Sequence, residues 1–503
     1  MTDTVDGLLR DRAARYGAKH AIVDPTERVT YAELDAATLE FGAKLLASGI
    51  SKGARVGLIM PNGVGWARIA LALMRIGAVL VPLSTLLSPR ELTAQLRMAS
   101  VQHLIAVEEF RGHRYLDTLE PSVGLPALRS VLTVARAMTL PHDALTVEVA
   151  EAVSRGVRPA DPLAIIFTSG SSGPPKGVRH SHGNAIGAVR AGLAARCIRS
   201  DTRLYLPMPF FWVGGFGGGL LSALIAGATL ITEPVPQPDS TLVLLAAEQV
   251  TLFRGWPDQA DALARHLPGS GVELTSLRPG SLDALLPEHL RSRPGARARL
   301  FGMTESFGPY CGYAADTDMP PTAWGSCGKP FEGLQVRIVD PASGDEVPTD
   351  TVGMIHIRGP HVLRGICRRT REDVFTTDGY YPTGDLGRLD ADGFLFYHGR
   401  SDDMFKVSGS TVYPTEVEQA LRTLDGVTAA FVTNVVGTQG NRVGAAVLCG
   451  ADRTVDELRV AARSVLSSFK VPTVWVLLDS DDAVPRGATG KVDIARLRAL
   501  LGG

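Results

Sequence analysis

Residues 168 to 177 read Thr168-Ser169-Gly170-Ser171-Ser172-Gly173-Pro174-Pro175-Lys176-Gly177. Gly170 and Gly173 let the backbone turn and bring its N–H groups up to a ligand. Thr168, Ser169, Ser171 and Ser172 add hydroxyl donors, and Lys176 adds a mobile positive charge. That chemistry suits the oxygens of a polyphosphate. A flexible surface turn has a similar composition. Here, however, the apolar run Leu163-Ala164-Ile165-Ile166-Phe167 stands in front, with the length and make-up of a buried strand. A Walker-type loop is excluded, because it needs four residues between its glycines and Ser or Thr after its lysine. In this chain two residues separate Gly170 from Gly173, and Gly177 follows Lys176.

Four more signals follow in order. Phe301-Gly302-Met303-Thr304-Glu305 ends a strand and exposes a hydroxyl beside a carboxylate. Tyr381-Pro382-Thr383-Gly384-Asp385-Leu386-Gly387 places an Asp in a Gly-flanked turn. Gly399-Arg400-Ser401-Asp402-Asp403 is polar punctuation after the strand-like Phe394-Leu395-Phe396-Tyr397. Pro485-Arg486-Gly487-Ala488-Thr489-Gly490-Lys491 sets a lysine on a Gly-rich loop near the C-terminus. Each has a plain structural reading alone, as an N-cap threonine, an Asx turn or a solvated loop. The lysines add weight: there are only eight against 43 arginines, and Lys176, Lys329, Lys406 and Lys491 all lie in motif-like stretches. Where arginine is the default cation, a lysine points to a need for a compact ammonium on a flexible stem.

The elements that must position these residues alternate between strand-like and helix-like over the first 400 residues, the pattern of α/β layering. Arg55 to Met60 predicts a strand, Val64 to Ile76 a largely apolar helix, and Ile76 to Pro82 a turn into another strand. Further strands are expected at Ala228 to Ile231, Arg297 to Phe301, Gln335 to Val339 and Met354 to Ile357. Beyond Asp402, a helix at Thr415 to Leu424, strands at Ala429 to Val435 and Val443 to Leu448, and a helix at Val455 to Leu466 suffice for a small α/β domain. The expected domains are therefore 1–401 and 402–503.

At 503 residues the chain is too long for one core. A formal charge of −1 gives no electrostatic reason to expect nucleic acid or an anionic membrane as partner. Val213 to Ile231 carries no charge and is just long enough to cross a bilayer, but its five glycines between Gly214 and Gly219 suit a loop entering a buried helix better. No secretory signal opens the chain. Five dispersed cysteines without a CxxC pair point to reduced thiols and a cytoplasmic protein. Nothing in the sequence sets the oligomeric state, and a homo-oligomer is compatible with it.

Taken together and in this order, the motifs closely resemble the adenylate-forming superfamily of acyl-CoA synthetases, nonribosomal-peptide adenylation domains and beetle luciferases. The resemblance runs from Thr30-Tyr31-Ala32-Glu33-Leu34 to Lys491. It implies a large N-terminal domain of layered α/β structure carrying a small, mobile C-terminal α/β domain, with ATP, Mg²⁺ and coenzyme A as cofactor and cosubstrates. The Thr168 to Gly177 loop, with Ser169, Gly170, Ser171, Ser172, Gly173 and Lys176, would hold the β- and γ-phosphates. Thr304, next to Gly302, would contact the α-phosphate, and Glu305 together with Thr168 would hold Mg²⁺. Asp385 would bind the ribose hydroxyls with Arg400 nearby, Lys491 would bridge the substrate carboxylate and the α-phosphate, and Asp402 would be the hinge.

The branch follows from departures and matches. Pro209-Phe210-Phe211-Trp212-Val213-Gly214-Gly215 lacks the Asp that peptide-type domains use to pair a substrate ammonium. Trp212, Gly214, Phe253, Trp256 and Phe301 are expected to wall an apolar acyl pocket, unless these aromatics are simply core. The compact run from Cys327-Gly328-Lys329-Pro330 to Gly359 lacks the insertion of fatty-acyl-AMP ligases. Ser281-Leu282-Asp283-Ala284-Leu285 replaces the usual Ser-Gly-Gly-Ala-Pro on the adenine side. The expected activity is an AMP-forming carboxylate–CoA ligase acting on an apolar carboxylic acid, whether fatty, aryl, alicyclic or sterol-derived. An acyl-AMP ligase loading a carrier protein, and a non-catalytic nucleotide-binding relative, stand as alternatives.

Overall fold

A computed structural model of the chain describes residues 3–117, 119, 124–168, 176–401, 403–407, 410–437, 440–450, 453–487 and 492–502. The chain divides into two compact units, residues 1–335 with 358–381, and residues 336–357 with 382–503.

The first unit is built on two sheets. One has seven strands in the order Gly365–Ile366, Lys176–Ser181, Pro162–Thr168, Val79–Pro82, Arg55–Ile59, His103–Ala106 and Ser130–Thr133. The other has five, in the order Leu252–Phe253, Arg203–Tyr205, Thr229–Ile231, His20–Val23 and Arg28–Thr30. Side chains alternate between the faces of a strand, so Leu58, Leu80, Ile166, Leu204 and Ile22 enter one shared core. Their neighbours Ile59, Val81 and Ile165 pack on the far side of the larger sheet, and Tyr205 and Val23 on the far side of the smaller. The helix Val64–Arg75 belongs to the shared core and is buried all round except at Gly65 and Arg68, which is why its sequence is apolar on nearly every face. The expected α/β layering is what forms.

In the second unit, strands Gly353–Arg358, Tyr381–Leu389 and Leu395–Arg400 join Gln335–Val339 in a four-stranded sheet. Further on, Val427–Gly437, Gly440–Cys449 and Val474–Leu478 form a three-stranded sheet. Helices Pro414–Arg422 and Val455–Val465 cover one face through Val417, Leu421, Leu458 and Ala462. Helix Ile494–Leu500 covers the other through Leu497.

Four sequence expectations need correction. The strand expected at Arg297 to Phe301 runs instead over Phe301–Met303, because ladder pairing begins only where Phe301 meets Cys311. The glycines after Trp212 form no loop: the helix starts at Val213 and passes through a π-helical stretch, Phe216–Leu221, before Ser222–Ala226. The Ser222 hydroxyl donates to the Gly217 carbonyl at 2.7 Å, tightening that wide turn. Tyr381 to Gly387 is strand, not turn, with a kink at Gly384 (φ 75°). Gly399 and Arg400 still belong to the strand Leu395–Arg400. Among the described residues no helix is long and apolar enough to cross a membrane, and all five cysteines are free thiols.

One buried ion cluster ties the first three helices together. Arg75 is fully buried, with Nε 2.8 Å from Asp6 and Nη1 2.9 Å from Asp35 and 3.0 Å from the Thr38 hydroxyl. Removing one carboxylate from a buried pair strands the cation, whereas an apolar replacement of the cation removes the need for it. Asp6→Ala is therefore expected to cost about 3 kcal/mol of unfolding free energy and Arg75→Met clearly less. Urea denaturation of both variants is the check, and the reverse order would contradict the reading.

Candidate active site

The phosphate-type loop is seated on a hairpin. Strands Pro162–Thr168 and Lys176–Ser181 pair antiparallel, with Thr168 opposite Lys176 and Phe167 opposite Gly177. Thr168 and Lys176, the two ends of that ladder, are both half-buried. Ser169, Gly170, Ser171, Ser172 and Gly173, like Asp402 and Lys491, lie outside the described residues. A side chain at Gly177 would press within 3.1 Å of both Cys367 Sγ and Ile165 Cγ2, so the glycine lets the neighbouring segment close against the hairpin.

Thr304 and Glu305 begin a single 3₁₀ turn, Thr304–Ser306, directly after the strand Phe301–Met303. That turn packs on the strand Pro162–Thr168, so two of the motifs meet within the first unit. Gly302 makes the approach feasible: a Cβ there would lie 2.1 Å from the Gly308 carbonyl oxygen. Ser306 Oγ accepts from the Met303 N–H at 3.2 Å and donates to the Gly308 carbonyl at 2.7 Å, locking the turn. Glu305 is buried; its backbone carbonyl accepts from Leu363 N–H at 2.7 Å, and Tyr381 Oη donates to its Oε1 at 3.0 Å.

Two participants escaped the sequence reading. Tyr381 stood in the Tyr-Pro-Thr-Gly-Asp motif without a role. His180 lies one strand face along from Lys176, since positions 176, 178 and 180 share a side, and that alternation was the signal for it. The His180 ring is buried, meets Phe307 edge-on at 4.8 Å, and takes a hydrogen bond on Nδ1 from the Asn184 amide at 2.9 Å. Its proton then belongs to Nε2. Burial pushes its pKa down to about 3, against the opposing support of the Thr304 backbone and Asn184. A neutral imidazole thus backs the Thr304 turn at any ordinary pH.

In the second unit, Asp385 and Arg400 face each other across the strands Tyr381–Leu389 and Leu395–Arg400. Arg400 Nη1 stands 3.2 Å from Asp385 Oδ1 and donates to the Thr383 carbonyl at 3.0 Å. The Thr383 hydroxyl accepts from the Asp385 N–H at 3.0 Å and donates to the Ile355 carbonyl at 2.8 Å. The buried carboxylate is thereby held in one orientation by its own strand pair. The kink at Gly384 is required, because a Cβ there would meet Arg400 Nη2 at 2.9 Å.

Of the aromatic set, Trp212 and Trp256 meet, with ring centroids 5.8 Å apart, and Trp256 remains 40% exposed. Gly214 sits in the first turn after Trp212, where a Cβ would press within 2.7 Å of Met208 Sδ. Phe253 is fully buried and pairs with Tyr205 at 5.1 Å, while Phe301 pairs with Tyr310 at 5.4 Å. In the segment that departs from the family pattern, Ser281 Oγ accepts from the Phe253 N–H at 3.1 Å. Asp283 Oδ1 accepts from the Ser292 N–H at 3.2 Å.

Among the described residues no group of three or more His, Cys, Asp or Glu is placed to hold a metal ion. Mg²⁺ takes one or two protein oxygens and fills its remaining positions with water and phosphate. Glu305, with one oxygen fixed by Tyr381, is an oxygen donor of that kind.

The model of the AMP-binding enzyme family matches residues 9–367. The chain is 32% identical, over 97% of either chain, to a 7a-methyl-1,5-dioxo-octahydro-1H-inden-4-yl-propanoyl:CoA ligase of Mycobacterium tuberculosis. It is 30% identical to the 3-hydroxybenzoate–CoA ligase of an Aromatoleum species, over 96% of this chain and 93% of that one. Its fold matches that of ATP-bound MatB from Rhodopseudomonas palustris with a TM-score of 0.82, at 24% identity over 99% of each chain. The chain therefore belongs to the AMP-binding enzyme family and is an AMP-forming acid–thiol ligase.

Gly302 offers a sharp check on the turn. Gly302→Ala forces the backbone of Gly308 and Pro309 to move, and overpacking of this kind costs about 1–3 kcal/mol. We expect that loss in denaturation, together with a fall in adenylate formation larger than the loss of folded protein explains. Unchanged stability and rate would refute the tight approach.

Proposed function

We propose that this chain joins an apolar carboxylic acid to coenzyme A at the expense of ATP, through an acyl-adenylate. The carrying observation is that the loop-bearing strand Pro162–Thr168 and the Thr304–Glu305 turn pack together, with Glu305 held by Tyr381. A free carboxylate resists nucleophiles because its charge repels them and oxide is a poor leaving group. Attack of its oxygen on the α-phosphorus of ATP forms an acyl–phosphate bond and breaks the bond to pyrophosphate. Two anions must meet, so donors and cations have to be aimed at the transferring phosphoryl group beforehand.

In this reading the 168–177 loop and Lys176 bind the β- and γ-phosphates, and Thr304 orients the α-phosphate. Asp385, oriented by Arg400 and Thr383, accepts the ribose hydroxyls. Glu305 and Thr168 would hold Mg²⁺, which when bound supplies charge neutralisation at the phosphates. Lys491 bridges the carboxylate and the α-phosphate. The thiol of coenzyme A then attacks the acyl carbon and AMP leaves, after a C-terminal domain starting at Asp402 turns on that residue. The Trp212–Trp256 pair supports an apolar acyl wall, and the ring acids in the relatives' names point toward ring-containing substrates over simple fatty chains. Five free thiols suit a reducing, cytoplasmic setting.

Lys491→Ala is expected to lower acyl-adenylate formation on the order of 100- to 1000-fold while ATP binding persists. Pyrophosphate exchange reads the first quantity and nucleotide titration the second; retention of more than about a tenth of the exchange rate would remove Lys491 from this role. Asp402→Pro is expected to spare adenylation and slow thioester formation, and equal loss of both half-reactions would argue against a hinge there.

A further inference from the structure

Among the described residues, two guanidinium groups of the first unit, those of Arg196 and Arg254, bond only backbone carbonyls. Arg196 is 5% exposed, yet its Nε and Nη2 donate only to the backbone carbonyls of Gly192 and Val189, at 3.0 and 2.6 Å. Arg254 Nη1 donates only to the Gly280 carbonyl, at 2.7 Å. No carboxylate among the described residues forms an ion pair with either. The contrast inside this protein is direct: buried Arg75 has Asp6 and Asp35. The cavity of about 320 Å³ lined by Cys197, Arg199, Asp201, Arg278 and Asp316 has its arginines matched, Arg278 to Asp201 at 2.7 Å and Arg199 to Asp316 at 3.8 Å.

Location argues for a ligand. Arg254 follows the parallel strand Leu252–Phe253 at its C-terminal end, the end at which ligands enter α/β sheets. Two residues later Trp256 meets Trp212. Arg196 Nη1 lies 4.0 Å from the Cβ position of Gly218, in the π-helical stretch that begins four residues after Trp212. Such stretches recur at functional sites, and a Cβ at Gly218 would come into van der Waals contact with that guanidinium. Burial lowers Arg196 to about 10, with the field of Arg254 adding to it, and burial lowers Arg254 as well. Guanidinium groups only donate, so what relieves them is an oxygen acceptor.

We propose that Arg196 and Arg254 form a polar floor to the acyl site, and that the acid substrate carries a second oxygen acceptor, a carboxylate or a ketone, at the end remote from its activated carboxyl group. This rests on the ligase reading above and narrows its substrate: an apolar body with an oxygenated far end.

The test uses three acids with one body, 3-cyclohexylpropanoate bearing hydrogen, a ketone or a carboxylate at ring position 4, scored by AMP release with ATP and coenzyme A. The oxygenated acids are expected to exceed the hydrocarbon in kcat/KM by at least about tenfold. Arg254→Met should erase that ratio, bringing kcat/KM for the oxygenated acids down to that of the hydrocarbon in the same variant. A preference for the carboxylate that weakens with added salt identifies a charged partner; a salt-independent preference for the ketone identifies a neutral one. Equal use of all three acids by the parent protein, or a ratio unmoved by Arg254→Met, overturns the proposal. Should Arg254→Met not fold, Arg254→Lys replaces it, and the parent's own ratio still decides. Turnover without oxygen preference sinks only this inference, whereas failure of every acid to release pyrophosphate sinks the ligase reading itself.

Discussion

Antiparallel pairing of Thr168 with Lys176 is the constraint on which the candidate site depends. A loop rich in glycine and serine has no stiffness of its own, and ordering it costs conformational entropy. Here its two ends are clamped by a ladder whose first strand lies inside a seven-stranded sheet, flanked by Val79–Pro82 on the other side. The same strand carries the Thr304–Ser306 turn. Thr168, Lys176 and the Thr304–Ser306 turn are thereby referenced to one strand of the sheet.

Buried charge is met in different ways within the two units. Arg75 is sealed among carboxylates, and Asp385 is held by Arg400 and the Thr383 hydroxyl. His180, with no ion partner among the described residues, is kept neutral by burial. Among the described residues Arg196 and Arg254 bond only backbone carbonyls, and burial lowers both.

Much of this was legible in residue order. Apolar runs gave the strand before the 168–177 loop and the buried helix near Val64, and the order of apolar segments gave the strands and helices beyond Thr415, because such patterns are local properties. It erred where geometry depends on a distant neighbour. Gly-rich sequence after Trp212 reads as loop, but packing of Phe216 against Phe307 and Trp66, at 5.6 and 5.9 Å, holds it as helix. Gly384 and Gly399 read as turns, yet cross-strand pairing of Asp385 with Arg400 carries the strands through them.

By itself, then, the sequence determined the chemistry on offer: a phosphate-type loop, a Thr–Glu turn, an Asp–Arg strand pair and the family they mark. Only the tertiary structure decided what those groups answer to. It put Tyr381 on Glu305, 76 residues away in the chain, set His180 behind Thr304, and gave Arg196 and Arg254 only backbone carbonyls among the described residues. The reason is physical: type and period are written residue by residue, whereas hydrogen-bond partners and desolvation arise between segments far apart in sequence and exist only once the chain has packed.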